Sequence, residues 1–155
     1  MVTTEVAPQS NIDVLWAAAR GDAPMPPAAE LLGWSPLHLE PGFVRVGYIA
    51  REEWYNPQGS VQGGLVAAML DDAMGPAAFS VLEPGQFAPT LEMKVSYYRS
   101  VHAGVITAEG RVVHRTRRAI FLEGRLYTPD GELAASATAT AHIGQMAIAE
   151  GAHVG

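Results

Sequence analysis

The stretch Asn56-Pro-Gln-Gly59-Ser-Val-Gln62-Gly63-Gly64-Leu-Val-Ala-Ala-Met-Leu-Asp71-Asp72 runs from a polar, glycine-rich turn into an apolar segment that carries two adjacent carboxylates. Leu65 to Leu70 is a six-residue apolar run rich in Ala, Leu and Met, without the alternation of a half-buried strand. It predicts a central, buried helix over about 61–82. A charge on a helix that is apolar nearly all round is costly unless it is paired, solvated in a cavity or kept for chemistry. Pro76 removes a backbone donor just past the two aspartates and predicts a kinked or thinned helix there.

Upstream, Asn11 to Arg20 reads as a short amphipathic helix through Ile12, Leu15 and Trp16, and the three prolines between Gly21 and Pro27 break it. With a helical turn at Ala28 to Leu32, residues 1–33 form an expected helical arm, a flap or a packing element. Ser35 to Leu39 and Gly42 to Ile49 are strand candidates joined by Glu40-Pro41-Gly42, which is favourable hairpin chemistry. Downstream, Leu91, Met93, Val95 and Tyr97 alternate with Glu92, Lys94, Ser96 and Tyr98, predicting one buried and one more polar face. Val105 to His114, Ile120 to Tyr127 and Leu133 to His142 complete four later strands, the last two separated by the turn Pro129-Asp130-Gly131. Ala135, Ala137, Ala139 and Ala141 share a face of the last strand, and Ala108 and Gly110 a face of another. Small residues there allow a curved sheet to approach a helix closely, so the class is α+β, an antiparallel sheet wrapped around the helix. Residues 34–143 make the expected domain and 144–155 an expected flexible tail.

With 155 residues, 48% of them hydrophobic, the chain suits one domain. No apolar run approaches the ~20 residues of a membrane span, and Met1 to Asn11 lacks the basic start of a secretory signal, so a cytoplasmic protein is expected. The absence of cysteine excludes disulfides, thiolate nucleophiles and cysteine zinc sites. A net charge of −6 argues against general nucleic-acid binding. Four of the ten basic residues, Arg111, Arg115, Arg117 and Arg118, are nevertheless clustered, as a local anion site or a solvated hairpin. His38, His102, His114, His142 and His153 are dispersed without metal-ligand spacing, and no metal site is expected. Ser60 lies outside any Gly-x-Ser-x-Gly elbow, and no phosphate-binding loop or dinucleotide fingerprint occurs.

Asn56-x-x-Gly59-x-x-Gln62-Gly63-Gly64, then Asp71, then Thr90-Leu-Glu-Met-Lys-Val-Ser-Tyr-Tyr-Arg99 resembles the hotdog-fold acyl-CoA thioesterases of the phenylacetic-acid-degradation (PaaI-like) type, over roughly Leu39 to Ile143. Gln62 stands where that family usually has His. The resemblance implies a hotdog fold, and it implies Asp71 as nucleophile or general base with the Gly63 N–H as oxyanion donor. Asn56 matches a residue that helps hold the turn, and Thr90 a hydroxyl that helps place the hydrolytic water. Gln62 retains a hydrogen-bond donor but cannot carry a proton at neutral pH, so its role is orientation. Gly64, Arg99, Arg115, Arg117 and Arg118 are the candidate substrate-binding residues, the arginines toward coenzyme A phosphates. Coenzyme A is part of the substrate, and no separate cofactor is expected.

Elementary geometry adds a constraint. Eight residues of helix from Gly63 to Asp71 rise about 12 Å, too far for both to serve one thioester. If both are catalytic, Asp71 faces the glycine turn of a second subunit, which predicts a homodimer or homotetramer with shared sites. Gly64, Ala68, Asp71 and Gly75 form one small-residue stripe for a second helix, and Asp72, about 100° round, is the weaker candidate. Phe79, Met69, Met74, Tyr97 and Tyr98 are candidates for an acyl pocket or for core. The expected function is acyl-CoA thioesterase. The alternative, motivated by Gln62, is a weakly catalytic hotdog module that binds acyl-CoA without turnover; a hydratase would need a His paired with an acid, which is not found near the helix.

Overall fold

A computed structural model of the chain describes residues 10–146. Ser10 opens helix α1 (Asn11–Arg20) by a reciprocal cap. Its hydroxyl accepts from the Asp13 amide at 3.1 Å, and the Asp13 carboxylate accepts from the Ser10 amide at 3.2 Å. Helix α2 (Pro27–Leu32) starts on a proline, whose missing N–H is harmless there. Strands β1 (Ser35–Glu40) and β2 (Phe43–Ala50) precede a short 3₁₀ turn at Glu52–Trp54 and helix α3 (Gly63–Phe79). The rest is strand: β3 (Gln86–Phe87), β4 (Thr90–Tyr97), β5 (Gly104–Arg115), β6 (Ala119–Tyr127), β7 (Leu133–His142) and β8 (Gly144–Gln145).

Six strands form an antiparallel sheet in the order β1-β2-β5-β6-β7-β4, and β3 pairs with β8 apart from it. The α+β architecture expected from the sequence is present, with α3 packed on one face of the sheet. Met69, Leu70, Ala73, Met74 and Ala77 of α3 are buried against sheet residues that include Val46, Ile106, Ala108 and Leu122, and Ala135, Ala137, Ala139 and Ala141 are buried as their spacing predicts. The helix and sheet approach most closely at Gly110. A Cβ there would sit 2.6 Å from the Ala73 carbonyl carbon and 2.8 Å from Met74 Cα, so the missing side chain sets the spacing.

Three expectations need correction. The helix is shorter than 61–82, because its flanking backbone is already committed. The Val61 amide donates to the Val101 carbonyl and the Gln62 amide to the Trp54 carbonyl, each at 2.8 Å, so α3 starts at Gly63. It continues through Pro76 to Phe79. The face of β4 expected to be buried is covered only in its middle, where Met93 and Val95 are half-buried against the core, and its two ends stay open. Leu91 is 66% exposed and Tyr97 53%, because β4 is an edge strand and its register slips between Thr90 and Glu92. Past Ile143, where a tail is expected, β8 continues the ordered chain, and residues 147–155 lie outside the described range.

The arm is tied to the far end of α3. Asn11 Nδ2 donates to the carbonyls of Phe79 at 2.7 Å and Leu82 at 2.9 Å, bridging the last residue of α3 and the turn that follows it. Asn11→Ala is expected to cost about 1 kcal/mol of folding stability, read from a urea titration. An unshifted midpoint would mean that water replaces the contact at no cost. No helix among the described residues is long and apolar enough to cross a membrane.

Candidate active site

The polar turn before α3 is built around Asn56. Its Oδ1 accepts from the amides of Gln58 at 2.9 Å and Ser60 at 3.3 Å, and its Nδ2 donates to Ser60 Oγ at 3.2 Å. This side chain supplements the loop's own backbone bonds, from the Asn56 amide to the Ser60 carbonyl at 2.7 Å and from the Gly59 amide to the Asn56 carbonyl at 3.0 Å. Gly59, at φ 79°, takes the left-handed position of the same turn. Gln62 follows as an N-cap whose side chain makes no cap hydrogen bond, and it is exposed. Its carbonyl accepts from the amides of Leu65 at 2.9 Å and Val66 at 3.2 Å. The Gly63 and Gly64 amides have no acceptor among the described residues. They are the free donors that a helix start leaves over.

An open cleft of about 350 Å³ lies beside this turn, lined by Asn56, Ser60, Gly63, Tyr97, Tyr98 and Arg99 among others. The Tyr97 hydroxyl donates to the Gly63 carbonyl at 2.8 Å. Asp71 is absent from the cleft lining. It lies on the exposed side of α3, where its carboxylate accepts from Thr90 Oγ1 at 3.0 Å. The chain thus carries two half-constellations: Asn56, Gln62, Gly63 and Tyr97 at the start of α3, and Asp71 with Thr90 about 12 Å along it. Gly64, Asp71 and Gly75 are exposed along one side of α3, with Ala68 half-buried between them, and a Cβ at Gly64 or Gly75 would touch nothing within 4 Å.

Asp72 takes a different path from its neighbour. It turns inward and accepts from the Tyr48 hydroxyl at 3.0 Å. Burial raises its pKa above the ordinary 3.8 and the charge of Asp71 adds to the rise, while the Tyr48 hydrogen bond opposes it. Burial, and then the Asp72 charge, also push Tyr48 well above its usual range. A carboxylate whose folded pKa is raised stabilises fully below the unfolded value and loses that contribution as pH rises through the folded value. Asp72→Asn keeps an acceptor for Tyr48 and removes the titration. Its stability relative to wild type, measured by denaturation between pH 4 and 7, is expected to improve as pH rises, and a pH-independent difference would refute this account.

The candidate phosphate-binding arginines divide. Arg99 borders the cleft and pairs with Glu132 at 3.6 Å. Arg115 donates to Gln86 Oε1 at 3.1 Å and lies 3.9 Å from Glu83, just beyond the C-terminal end of α3. Arg117 and Arg118 are exposed in the turn that Thr116 closes, where Thr116 Oγ1 accepts from the Arg118 and Ala119 amides. Arg111 is drawn away, with its guanidinium 4.6 Å from the Phe43 ring centre. Within one chain, Arg115, Arg117 and Arg118 are therefore not brought to the cleft. Met69 and Met74 are wholly buried, which leaves Tyr97 and Tyr98 as the pocket candidates that line the cleft. Among the described residues no group of three His, Asp or Glu side chains is placed to hold a metal ion. Sequence reasoning missed the pairings of Tyr97 with Gly63 and of Tyr48 with Asp72, since neither spacing follows a local rule.

A family model described as the thioesterase superfamily matches residues 58–135, which is half of the chain. The fold is similar to that of a phenylacetic acid degradation-related protein from Ralstonia eutropha, provisionally assigned as a thioesterase. The TM-score is 0.77 and the identity 35%, covering 82% of this chain and 97% of that one. The E. coli PaaI protein of the phenylacetic acid degradation operon shares the fold, with TM-score 0.77 at 22% identity over 88% of this chain and 99% of that one. A provisionally named esterase of Saccharolobus solfataricus is 28% identical over 107 residues, 69% of this chain and 76% of that protein.

Proposed function

The chain belongs to the thioesterase superfamily and is a thioester hydrolase, and from that premise we propose that it hydrolyses an acyl-CoA to a carboxylic acid and free coenzyme A, in sites shared between two copies of the chain. The observation that carries the proposal is the split of the site: free amide donors at Gly63 with the cleft beside them, and the Asp71 carboxylate exposed two turns away.

Two antiparallel copies of α3, meeting along Gly64, Ala68, Asp71 and Gly75, bring Asp71 of each to the turn of the other. The unpaired edge of β4 and its exposed Leu91 supply the surface that such a pairing buries. A thioester carbonyl oxygen then faces the Gly63 N–H. Asp71 either attacks the carbonyl carbon or takes a proton from the attacking water. On both routes negative charge grows on the carbonyl oxygen, where one preorganised donor contributes roughly 3–4 kcal/mol. Collapse expels the coenzyme A thiolate, which takes up a proton given by the water. Where Asp71 is the nucleophile, collapse leaves an acyl–Asp71 anhydride that this water cleaves to the carboxylic acid, restoring the carboxylate. Thr90 holds Asp71 and helps place the water, Asn56 holds the donor turn, and Gln62 orients the carbonyl. Gly64 lets the acyl group pass close to the helix, while Arg99, and Arg115, Arg117 and Arg118 of the neighbouring copy, face the coenzyme A phosphates. An acyl-CoA substrate is compatible with the cytoplasmic location expected from the sequence.

Thiol release from a panel of aryl and aliphatic acyl-CoAs, run beside sedimentation equilibrium, tests the reading. Turnover by a dimer or tetramer is expected. Tight binding without thiol release would leave a binding module instead, and full activity in a monomer would sink the shared site.

A further inference from the structure

Among the described residues, Tyr97 is the one side chain outside the helix and its turn that hydrogen-bonds the start of α3. Two glycines open that helix, the residues with the least backbone preference, and the Gln62 side chain offers no cap. The Tyr97 hydroxyl reaches from β4 to the Gly63 carbonyl at 2.8 Å, and its ring lies over Gly63: a Cβ there would be 3.4 Å from Tyr97 Cζ. A peptide is planar, so holding a carbonyl holds the whole plane. The plane before Gly63 is held by its Gln62 carbonyl, which accepts from Leu65 and Val66. The plane after Gly63 is held by Tyr97.

We propose that Tyr97 is a positioning residue for thioester hydrolysis: by holding the Gly63 carbonyl it fixes the plane that carries the Gly64 N–H, and through the shared Gly63 Cα it steadies the Gly63 N–H in the direction in which it meets the oxyanion. The proposal rests on the reading of Gly63 given above. Tyr97 acts through Gly63, so its loss weakens the transition state more than the bound substrate.

Tyr97→Phe keeps the ring and deletes the hydroxyl. The expected result is a kcat about 10-fold lower, with KM within about twofold of wild type and thermal midpoint unchanged. In ¹H–¹⁵N spectra the amide peaks of Gly63 and Gly64 move. An unchanged kcat overturns the proposal, and so does a loss carried wholly by KM, which would make Tyr97 a substrate contact. If the wild-type protein turns over no thioester, the functional reading fails by itself. The spectra then decide separately, and unmoved Gly63 and Gly64 amides overturn the positioning role.

Discussion

Asp71→Asn is expected to lower kcat toward an acyl-CoA by about 10³-fold or more, with KM and thermal midpoint close to wild type. Asparagine preserves the size of the side chain and an oxygen to accept from Thr90, so the local hydrogen bond at 3.0 Å survives. What is lost is the charge that attacks carbon or accepts a proton. Because Asp71 is exposed on α3 and no core contact depends on it, the change is confined to chemistry. Turnover within tenfold of wild type would remove Asp71 from the mechanism.

A second variant turns this into a test of geometry. Gly63 is the first residue of α3, a position where proline is well tolerated, and Gln62 already has the extended conformation that a following proline requires (ψ 131°). Gly63→Pro therefore deletes one N–H at a backbone position that accepts proline and sets its Cβ in van der Waals contact with Tyr97 (3.4 Å), at an expected cost of about 10²-fold in kcat. Refolding equal amounts of Asp71→Asn and Gly63→Pro together gives half mixed dimers. Each mixed dimer has one site with both groups intact, so about a quarter of wild-type activity returns. No recovery would mean that each chain builds its own site.

The largest effect on stability is expected at Gly110. Gly110→Ala forces a methyl carbon onto the Ala73 carbonyl group and within 2.8 Å of Met74 Cα, both of them backbone that no rotamer change can move. Overpacking of this kind costs about 3 kcal/mol or more, a fall of roughly 10 °C in thermal midpoint for a chain of this length. Gly110→Val is expected not to fold. A wild-type midpoint for the alanine variant would show that α3 is free to lift from the sheet.

How far the sequence was readable depends on the range of the physics involved. The apolar run Leu65 to Leu70 marks α3 because helix formation is local, but its start depends on Trp54 and Val101, which claim the Gln62 and Val61 amides. Alternation along β4 correctly groups Leu91 with Tyr97. It cannot say how much of that face is covered within the same chain, and here Met93 and Val95 reach the core while Leu91 and Tyr97 stay more than half exposed. Strands β3 and β8, two residues each, are too short to carry a period. At the site, the Gly63 to Asp71 spacing was legible because a helix converts sequence into distance. The Tyr97 to Gly63 bond, 34 residues apart, was not, since only the packed sheet sets it. The helix period already set Asp72 apart from Asp71 as the weaker candidate, but not its partner: Asp72 found Tyr48 and Asp71 stayed outside.

The tight seat of α3 on Gly110 has one more consequence. Its contact atoms belong to Ala73 and Met74, within three residues of Asp71, so the more open carboxylate of the helix is mounted beside backbone packed directly on the sheet. An exposed side chain ordinarily gives up orientational freedom when it is recruited to a reaction, and that loss slows the step. Here the main chain beneath it has surrendered that freedom during folding, leaving only two side-chain torsions to be settled, one of them steadied by Thr90. Aim in this protein is thus set by a missing methyl group on the opposite strand.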